Sequence, residues 1–101
     1  AGHNIKIGFG VAIGANCILQ SSEHIITKGQ IERVTHAGYF RGPINIEKNA
    51  WLASFVLVRP ETNIGASAVF GAFSLAKGDY KSGVMYAGVP AVKRKRLNER
   101  D

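Results

Sequence analysis

Apolar residues recur at every sixth position over Ile46–Ala76. These residues, called here the leading series, are Ile46, Leu52, Val58, Ile64, Phe70 and Ala76. Four positions after each lies a second series of mostly small side chains: Ala50, Val56, Thr62, Ala68, Ser74 and Tyr80. A period of six fits neither the 3.6-residue period of a helix nor the two-residue period of a long strand. It is typical of a short strand and a corner, repeated, and predicts an all-β fold, a parallel β-helix of hexapeptide repeats.

The same period extends back to the start of the chain. The leading series there is Ala1, Ile7, Ile13 and Leu19, and the second series includes Ile5, Val11 and Cys17. Glycine follows the leading residue at Gly2, Gly8, Gly14, Gly65 and Gly71. Because glycine accepts backbone angles that other residues resist, we interpret these glycines as repeated corners.

The period breaks after Glu23, a charged residue in the second series, and resumes near Pro43. We expect a long extruded loop over residues 24–43, a place where rigid scaffolds commonly carry binding groups. Residues 1–101 then form a single domain with a C-terminal extension over 79–101. Within the extension we expect a turn-rich linker up to Gly83, a short strand over Val84–Ala87, and a short basic helix or a loose tail over Ala91–Arg100.

The 101-residue chain has a net charge of +6, and five of its basic residues lie near the C-terminus: Lys93, Arg94, Lys95, Arg96 and Arg100. A basic end suits a polyanionic ligand or is simply solvated. The chain has no apolar run long enough to cross a membrane. Its single cysteine, Cys17, cannot form an internal disulfide, which favours a cytoplasmic location.

Several large apolar residues fall at positions that would face outward from a β-helix: Trp51, Phe55, Leu57, Val69, Phe73 and Leu75. An exposed apolar set of this size indicates an interface. We therefore expect side-by-side association into a closed oligomer, a homotrimer.

Three segments resemble the hexapeptide-repeat acyltransferases with a left-handed parallel β-helix, and within them the maltose/galactoside O-acetyltransferase group. They are Asn16–His24, Pro43–Ser54, and Gly71–Ser74 followed by Tyr86–Ala91. The resemblance implies an acetyl-CoA-dependent O-acetyltransferase acting on a sugar or polysaccharide precursor. Its partners would be acetyl-CoA and a small sugar-like acceptor, without a metal, nucleic acid binding or membrane insertion.

The resemblance also implies roles for individual residues. His24 matches the family's catalytic base, and Ser54 matches the residue whose backbone N–H stabilises the oxyanion. The donor would lie against Trp51, Ala53 and Ala72, although Phe73 departs from the small residue usual beside them. The remaining donor contacts would come from Lys77, Pro90, Lys93 and Lys95.

Three other interpretations remain open. The chain could be a non-catalytic structural or binding β-helix, a truncated acyltransferase homologue. A zinc enzyme on the same scaffold would need converging histidines, and His3, His24 and His36 lack the close pair expected there. A nucleic-acid binder would use the basic end, but the sequence has no recognition helix or stacking platform.

Overall fold

The computed structural model describes residues 3–24 and 38–97. In these two ranges the chain forms fourteen β-strands and no helix. The strands are β1 (Ile5–Ile7), β2 (Ala12–Ile13), β3 (Ile18–Leu19), β4 (Ser22–His24), β5 (Tyr39–Arg41), β6 (Ile44–Ile46), β7 (Trp51–Leu52), β8 (Leu57–Val58), β9 (Thr62–Ile64), β10 (Val69–Phe70), β11 (Leu75–Ala76), β12 (Asp79–Tyr80), β13 (Val84–Ala87) and β14 (Val92–Arg96).

Three parallel sheets form the faces of a prism, which confirms the predicted parallel β-helix. Sheet 1 has the order β1-β6-β9-β12, sheet 2 has β2-β7-β10-β13-β14, and sheet 3 has β3-β8-β11. All of these pairs are parallel except β13 with β14. The chain visits the sheets in turn, so three corners arise, called here the 1–2, 2–3 and 3–1 corners.

The two predicted series form the core. From Ile46 to Ala76 every leading residue is at most 2% exposed, and the second series from Ala50 to Ser74 is equally buried. The two polar members bond to corner carbonyls: the Thr62 hydroxyl donates to Arg59 O at 2.7 Å and the Ser74 hydroxyl to Gly71 O at 2.6 Å. These bonds remove the cost of burying a hydroxyl in an apolar core.

The corners have a six-residue period of their own. Non-glycine residues with positive φ recur at Asn49, Phe55, Glu61, Ser67 and Phe73, with φ between 59° and 63°. The interpretation of the glycines after the leading series as conformational corners is therefore wrong at Gly8, Gly14, Gly65 and Gly71, which do not have positive φ, while Gly2 lies outside the described residues. A Cβ at Gly8, Gly14 or Gly65 would lie 2.5–2.8 Å from backbone of the next coil, so glycine is required at these three positions by the close approach of two coils.

The β-helix continues past Ala76, contrary to the linker expected over Lys77–Gly83. Strand β12 pairs with β9, placing Tyr80 beside Ile64 of the leading series and not in the second series. Asn45 and Asn63, which stack in adjacent coils, are 18 positions apart in sequence, whereas Asn63 and Asp79 are only 16 positions apart. The last turn is therefore two residues shorter. The Tyr80 ring packs against Phe70 at a centroid distance of 4.8 Å and against Tyr86 at 4.7 Å.

The C-terminal region differs from the expected helix or loose tail. The strand predicted over Val84–Ala87 is confirmed as β13. The basic segment that follows forms β14, which runs antiparallel along the edge of β13. The segment from Gly88 to Ala91 crosses the end of sheet 3, where Gly88 O and Ala91 N both bond to the backbone of Leu75.

The loop expected over residues 24–43 lies largely on residues 25–37, outside the described residues, and so does His36. At its two ends, β4 and β5 form an antiparallel pair. The chain re-enters the core at Ile44, which is 0% exposed.

Candidate functional site

His24 is the last residue of β4 and lies beyond the 3–1 corner. Its backbone is opposite Tyr39 of β5, and its side chain is exposed. Strand β4 begins one residue after Ser21, whose carbonyl accepts a hydrogen bond from Gly42 N at 3.1 Å. The structure thus places the predicted base on a short two-stranded extension of the prism.

Glu23, the residue before His24, forms an ion pair with Arg59. Arg59 Nε donates to Glu23 Oε2 at 3.2 Å, and Arg59 Nη2 donates to Glu23 Oε1. The hydrogen bond to this carboxylate raises the pKa of Arg59 above its ordinary value, and Coulombic attraction to Glu23 acts in the same direction, while burial opposes them. Arg59 therefore stays charged throughout the physiological pH range.

Ser54 lies on the 2–3 corner, within stacked rows of small residues. Parallel registers place Ala53 between Gly14 and Gly71, and Ser54 between Ala15 and Ala72. The Ser54 carbonyl accepts a hydrogen bond from Phe73 N at 3.1 Å, which fixes the peptide on that side. Small side chains at this corner leave room for an extended ligand close to the backbone, so the residues present fit the expected donor arm.

Phe73 stacks on Phe55 of the preceding coil. Their rings are 4.9 Å apart and nearly parallel, at 2°. Phe73 is 67% exposed and Phe55 47% exposed. The departure from a small residue at position 73 therefore has a packing partner, and the two rings form one wall beside Ala72.

The other predicted donor residues are spread over sheet 2, the end of sheet 3 and the 3–1 corner. On sheet 2, register pairs Trp51 with Val69, Val69 with Met85, and Met85 with Lys95, so Trp51 and Lys95 belong to one row. Lys93 lies opposite Tyr86 at the same edge. Pro90 lies in the segment across sheet 3, while Lys77 follows β11 at the 3–1 corner, above Arg59.

The described residues do not bring His24 and Ser54 together within one chain. Ser54 lies at the 2–3 corner and Pro60, six positions later, at the 3–1 corner, with strand β8 between them. His24 and Lys77 lie toward the 3–1 corner, while Ser54, Ala53 and Ala72 lie at the 2–3 corner. One chain therefore presents two separate halves of the predicted site.

A cavity of about 300 Å³ lies elsewhere, at the 1–2 corner, lined by Ser67, Ser82, Gly83, Arg96 and Leu97. None of the residues predicted for catalysis or donor binding lines it. The predicted groups lie on the open outer surface of the chain, where a concave site requires a second surface.

Arg59 is the residue that sequence reasoning missed. Its partner Glu23 is a charged residue in the second series, but the two residues are 36 positions apart in sequence. The position after the leading residue does not single out Arg59, because Glu47 and Lys77 occupy it in other coils.

Over residues 3–24 and 38–97, no group of three or more His, Cys, Asp or Glu side chains is arranged to hold a metal ion. No helix within the described part of the chain could span a membrane. The Cys17 thiol donates to Ala53 O at 3.0 Å.

Comparison with known proteins gives consistent similarities. No protein-family model matches the chain. It is 31% identical to galactoside O-acetyltransferase of Escherichia coli (strain K12) over 99 residues, which cover 98% of this chain and 47% of that protein. It is 29% identical to the galactoside O-acetyltransferase of Lactococcus lactis subsp. lactis (strain IL1403), covering 97% and 46%. The chain thus spans about half the length of the curated relatives it matches.

Solved structures agree. A hexapeptide-repeat-containing acetyltransferase from Vibrio cholerae O1 biovar eltor, complexed with acetyl coenzyme A, superposes with a TM-score of 0.84 at 26% identity, over 94% of this chain and 50% of that one. A galactoside acetyltransferase in complex with coenzyme A gives a TM-score of 0.84 at 30% identity, over 93% and 46%. With the stacked three-sheet prism, these similarities show that the chain has the left-handed parallel β-helix fold of the hexapeptide-repeat acetyltransferases and is similar to galactoside O-acetyltransferases.

Proposed function

We propose that this protein is an acetyl-CoA-dependent acetyltransferase that acts on a hydroxyl of a sugar or polysaccharide precursor. The observation that carries the proposal is the similarity to galactoside O-acetyltransferases along nearly the whole chain, with an exposed histidine at the end of β4. Imidazole suits general-base chemistry near neutral pH, and a sugar hydroxyl needs a base to become nucleophilic.

In this proposal His24 accepts the proton of the acceptor hydroxyl while that oxygen attacks the acetyl carbonyl carbon. The Ser54 backbone N–H donates a hydrogen bond to the oxyanion that develops on the carbonyl oxygen. The carbon–sulfur bond then breaks, the thiolate leaves, and the proton held by His24 neutralises it. No acetyl group is transferred to the protein itself.

Donor binding is proposed for the small-residue rows and the basic edge. Ala53 and Ala72 permit close approach of an extended chain, and Trp51 flanks them. Lys93 and Lys95 on β14, with Lys77 and Pro90, would hold the nucleotide end, where lysine supplies charge-assisted contacts to phosphate.

A homotrimer with sites between subunits is proposed because each chain carries two half-sites on separate corners. Trp51 is 51% exposed, and Phe55 and Phe73 form an exposed aromatic stack. Packing the 2–3 corner of one chain near the 3–1 corner of its neighbour would complete the site and cover these rings. We also propose one domain over residues 1–101 and a cytoplasmic location, since Cys17 is a free thiol.

The test is release of free thiol from acetyl-CoA in the presence of methyl galactoside. His24→Ala should lower kcat by about 10²-fold or more, as expected for loss of a general base. Ser54→Ala should stay within a few-fold of wild type because only its backbone N–H is used. His3→Ala is the matched histidine control, since His3 belongs to neither half-site.

Equal rates for His24→Ala and wild type would remove His24 from the mechanism. A folded oligomer that binds acetyl-CoA but acetylates no member of a sugar panel would remove the sugar acceptor. A folded oligomer that does not bind acetyl-CoA would leave a non-catalytic structural or binding β-helix.

A further inference from the structure

The Glu23–Arg59 ion pair joins the strand that carries His24 to the stacked coils. It uses two nitrogen atoms of the guanidinium and both carboxylate oxygens. The two side chains are only 31% and 21% exposed, so the pair is partly shielded from solvent. Two hydrogen bonds of this kind fix the orientation of the carboxylate relative to the guanidinium as well as the distance between them.

Arg59 is held firmly at its own end. Its backbone N–H donates to Ala76 O at 3.0 Å, and its carbonyl accepts the Thr62 hydroxyl at 2.7 Å. Thr62 is 0% exposed, so this anchor is part of the packed core. The guanidinium therefore extends from a backbone that is fixed by the next coil and by its own corner.

Strand β4, in contrast, belongs to none of the three long sheets. Its described strand partner is β5, which together with β4 forms a separate two-stranded sheet. Bonds between β4 and β5 hold the two strands to each other but do not fix the pair against the prism. Contacts from the coils to β4 therefore determine how precisely its last residue is placed.

We propose that Glu23 and Arg59 are a positioning pair for His24. Side chains alternate across a strand, so when Glu23 faces Arg59 its neighbour His24 projects from the other face. The pair thus holds β4 by one face and leaves the imidazole on the face open to the acceptor. This inference rests on the proposed function of His24 as the base, and neither Glu23 nor Arg59 contacts the reacting atoms.

The kinetic test compares Glu23→Gln, Arg59→Gln and the exchanged pair Glu23→Arg/Arg59→Glu. We expect each single change to lower kcat about 10-fold with the KM for acetyl-CoA within twofold, since small displacements of a base are costly. The exchanged pair should recover much of kcat, because it restores the attraction. Glu47→Gln, the same change on the 1–2 corner, should match wild type.

A second measurement does not depend on the acceptor. Amide hydrogen exchange on the full chain should be about 10-fold faster in β4 and β5 of Glu23→Gln, and unchanged in β7 and β10. The His24 ring signals in the NMR spectrum should broaden or split as the imidazole samples several positions.

Unchanged exchange in β4 and β5, or faster exchange with kcat unaffected, would overturn the positioning role. A fall in kcat that the exchanged pair does not recover at all would also overturn it. If His24→Ala is fully active while Glu23→Gln still speeds amide exchange in β4, the proposed role of His24 as the base fails. The ion pair would then still hold β4 against the coils. The two failures are therefore distinguishable.

Discussion

Gly65 lies where the backbones of two coils approach closely. A Cβ at this position would be 2.5 Å from Ser82 N, a backbone atom that cannot move without displacing the last turn. We expect Gly65→Ala to lower the free energy of unfolding by about 1–3 kcal/mol, the usual cost of overpacking. Urea unfolding of the purified protein measures this directly.

Gly71 provides the matched control. A Cβ there would meet the Ala87 Cβ at 3.2 Å, a tight contact with a side chain and not with backbone. Gly71→Ala should therefore cost less than Gly65→Ala. Equal costs would contradict the explanation of these glycines by close approach between coils.

For individual residues, the sequence predicts burial well but predicts poorly which side chains contact each other. The six-residue period identifies the core from Ile46 to Ala76 because burial follows directly from the repeat. The partner of Glu23 could not be found in this way, since the inserted loop hides which residue of the next coil lies beside it. His24 and Ser54 come from family resemblance, and their roles remain proposals.

The basic residues near the C-terminus act as part of a strand. Because β14 covers the edge of β13, a chain cut after Ala91 would expose that edge as well as remove charge. Such a truncation would mix a folding defect with a binding defect. Substitutions that keep the strand are the sharper test.

Lys93→Gln/Lys95→Gln should weaken acetyl-CoA binding several-fold, because two charge-assisted phosphate contacts are lost. The melting temperature should change little, since both side chains are exposed and interactions of surface charges contribute little to stability. Calorimetric titration and thermal unfolding measure the two effects. The control is Lys6→Gln/Lys48→Gln, with the same charge change at the other end of the prism; equal weakening there would indicate general electrostatics.

The shortened last turn places three aromatic rings at the end of the core. The Tyr80 hydroxyl accepts from Lys77 N at 2.8 Å and donates to Lys77 O at 3.1 Å. Tyr80→Phe should lower the free energy of unfolding by about 1 kcal/mol through loss of these bonds. Tyr80→Ala should cost more, by the added loss of ring packing; equal losses in urea unfolding would contradict a packing role for the ring.

The shortened last turn and strand β14 could not be predicted from the sequence, and the reason is physical. Two residues missing from the last turn shift Tyr80 between the two series, and a fixed period cannot register that change. Strand β14 has no alternation of apolar and polar residues, because both of its faces are exposed from Val92 to Arg96. Its strand conformation depends on pairing with β13.

At the scale of the whole molecule, the exposed rings of Phe55 and Phe73 lie at the corner where a neighbouring chain is proposed to pack. Phe55→Ser/Phe73→Ser should dissociate the proposed trimer, because the aromatic stack on the 2–3 corner would be lost. Sedimentation velocity should then show a monomer. Phe9→Ser is the matched control: Phe9 is 90% exposed but lies on the 1–2 corner, so the trimer should persist.

The most direct test of the account is calorimetric titration of acetyl-CoA into the purified wild-type protein and His24→Ala. We expect saturable binding at one site per chain in both proteins, since His24 is proposed to act on the acceptor and not to hold the donor. Absence of binding by a folded, assembled wild-type protein would contradict the proposed acetyltransferase function.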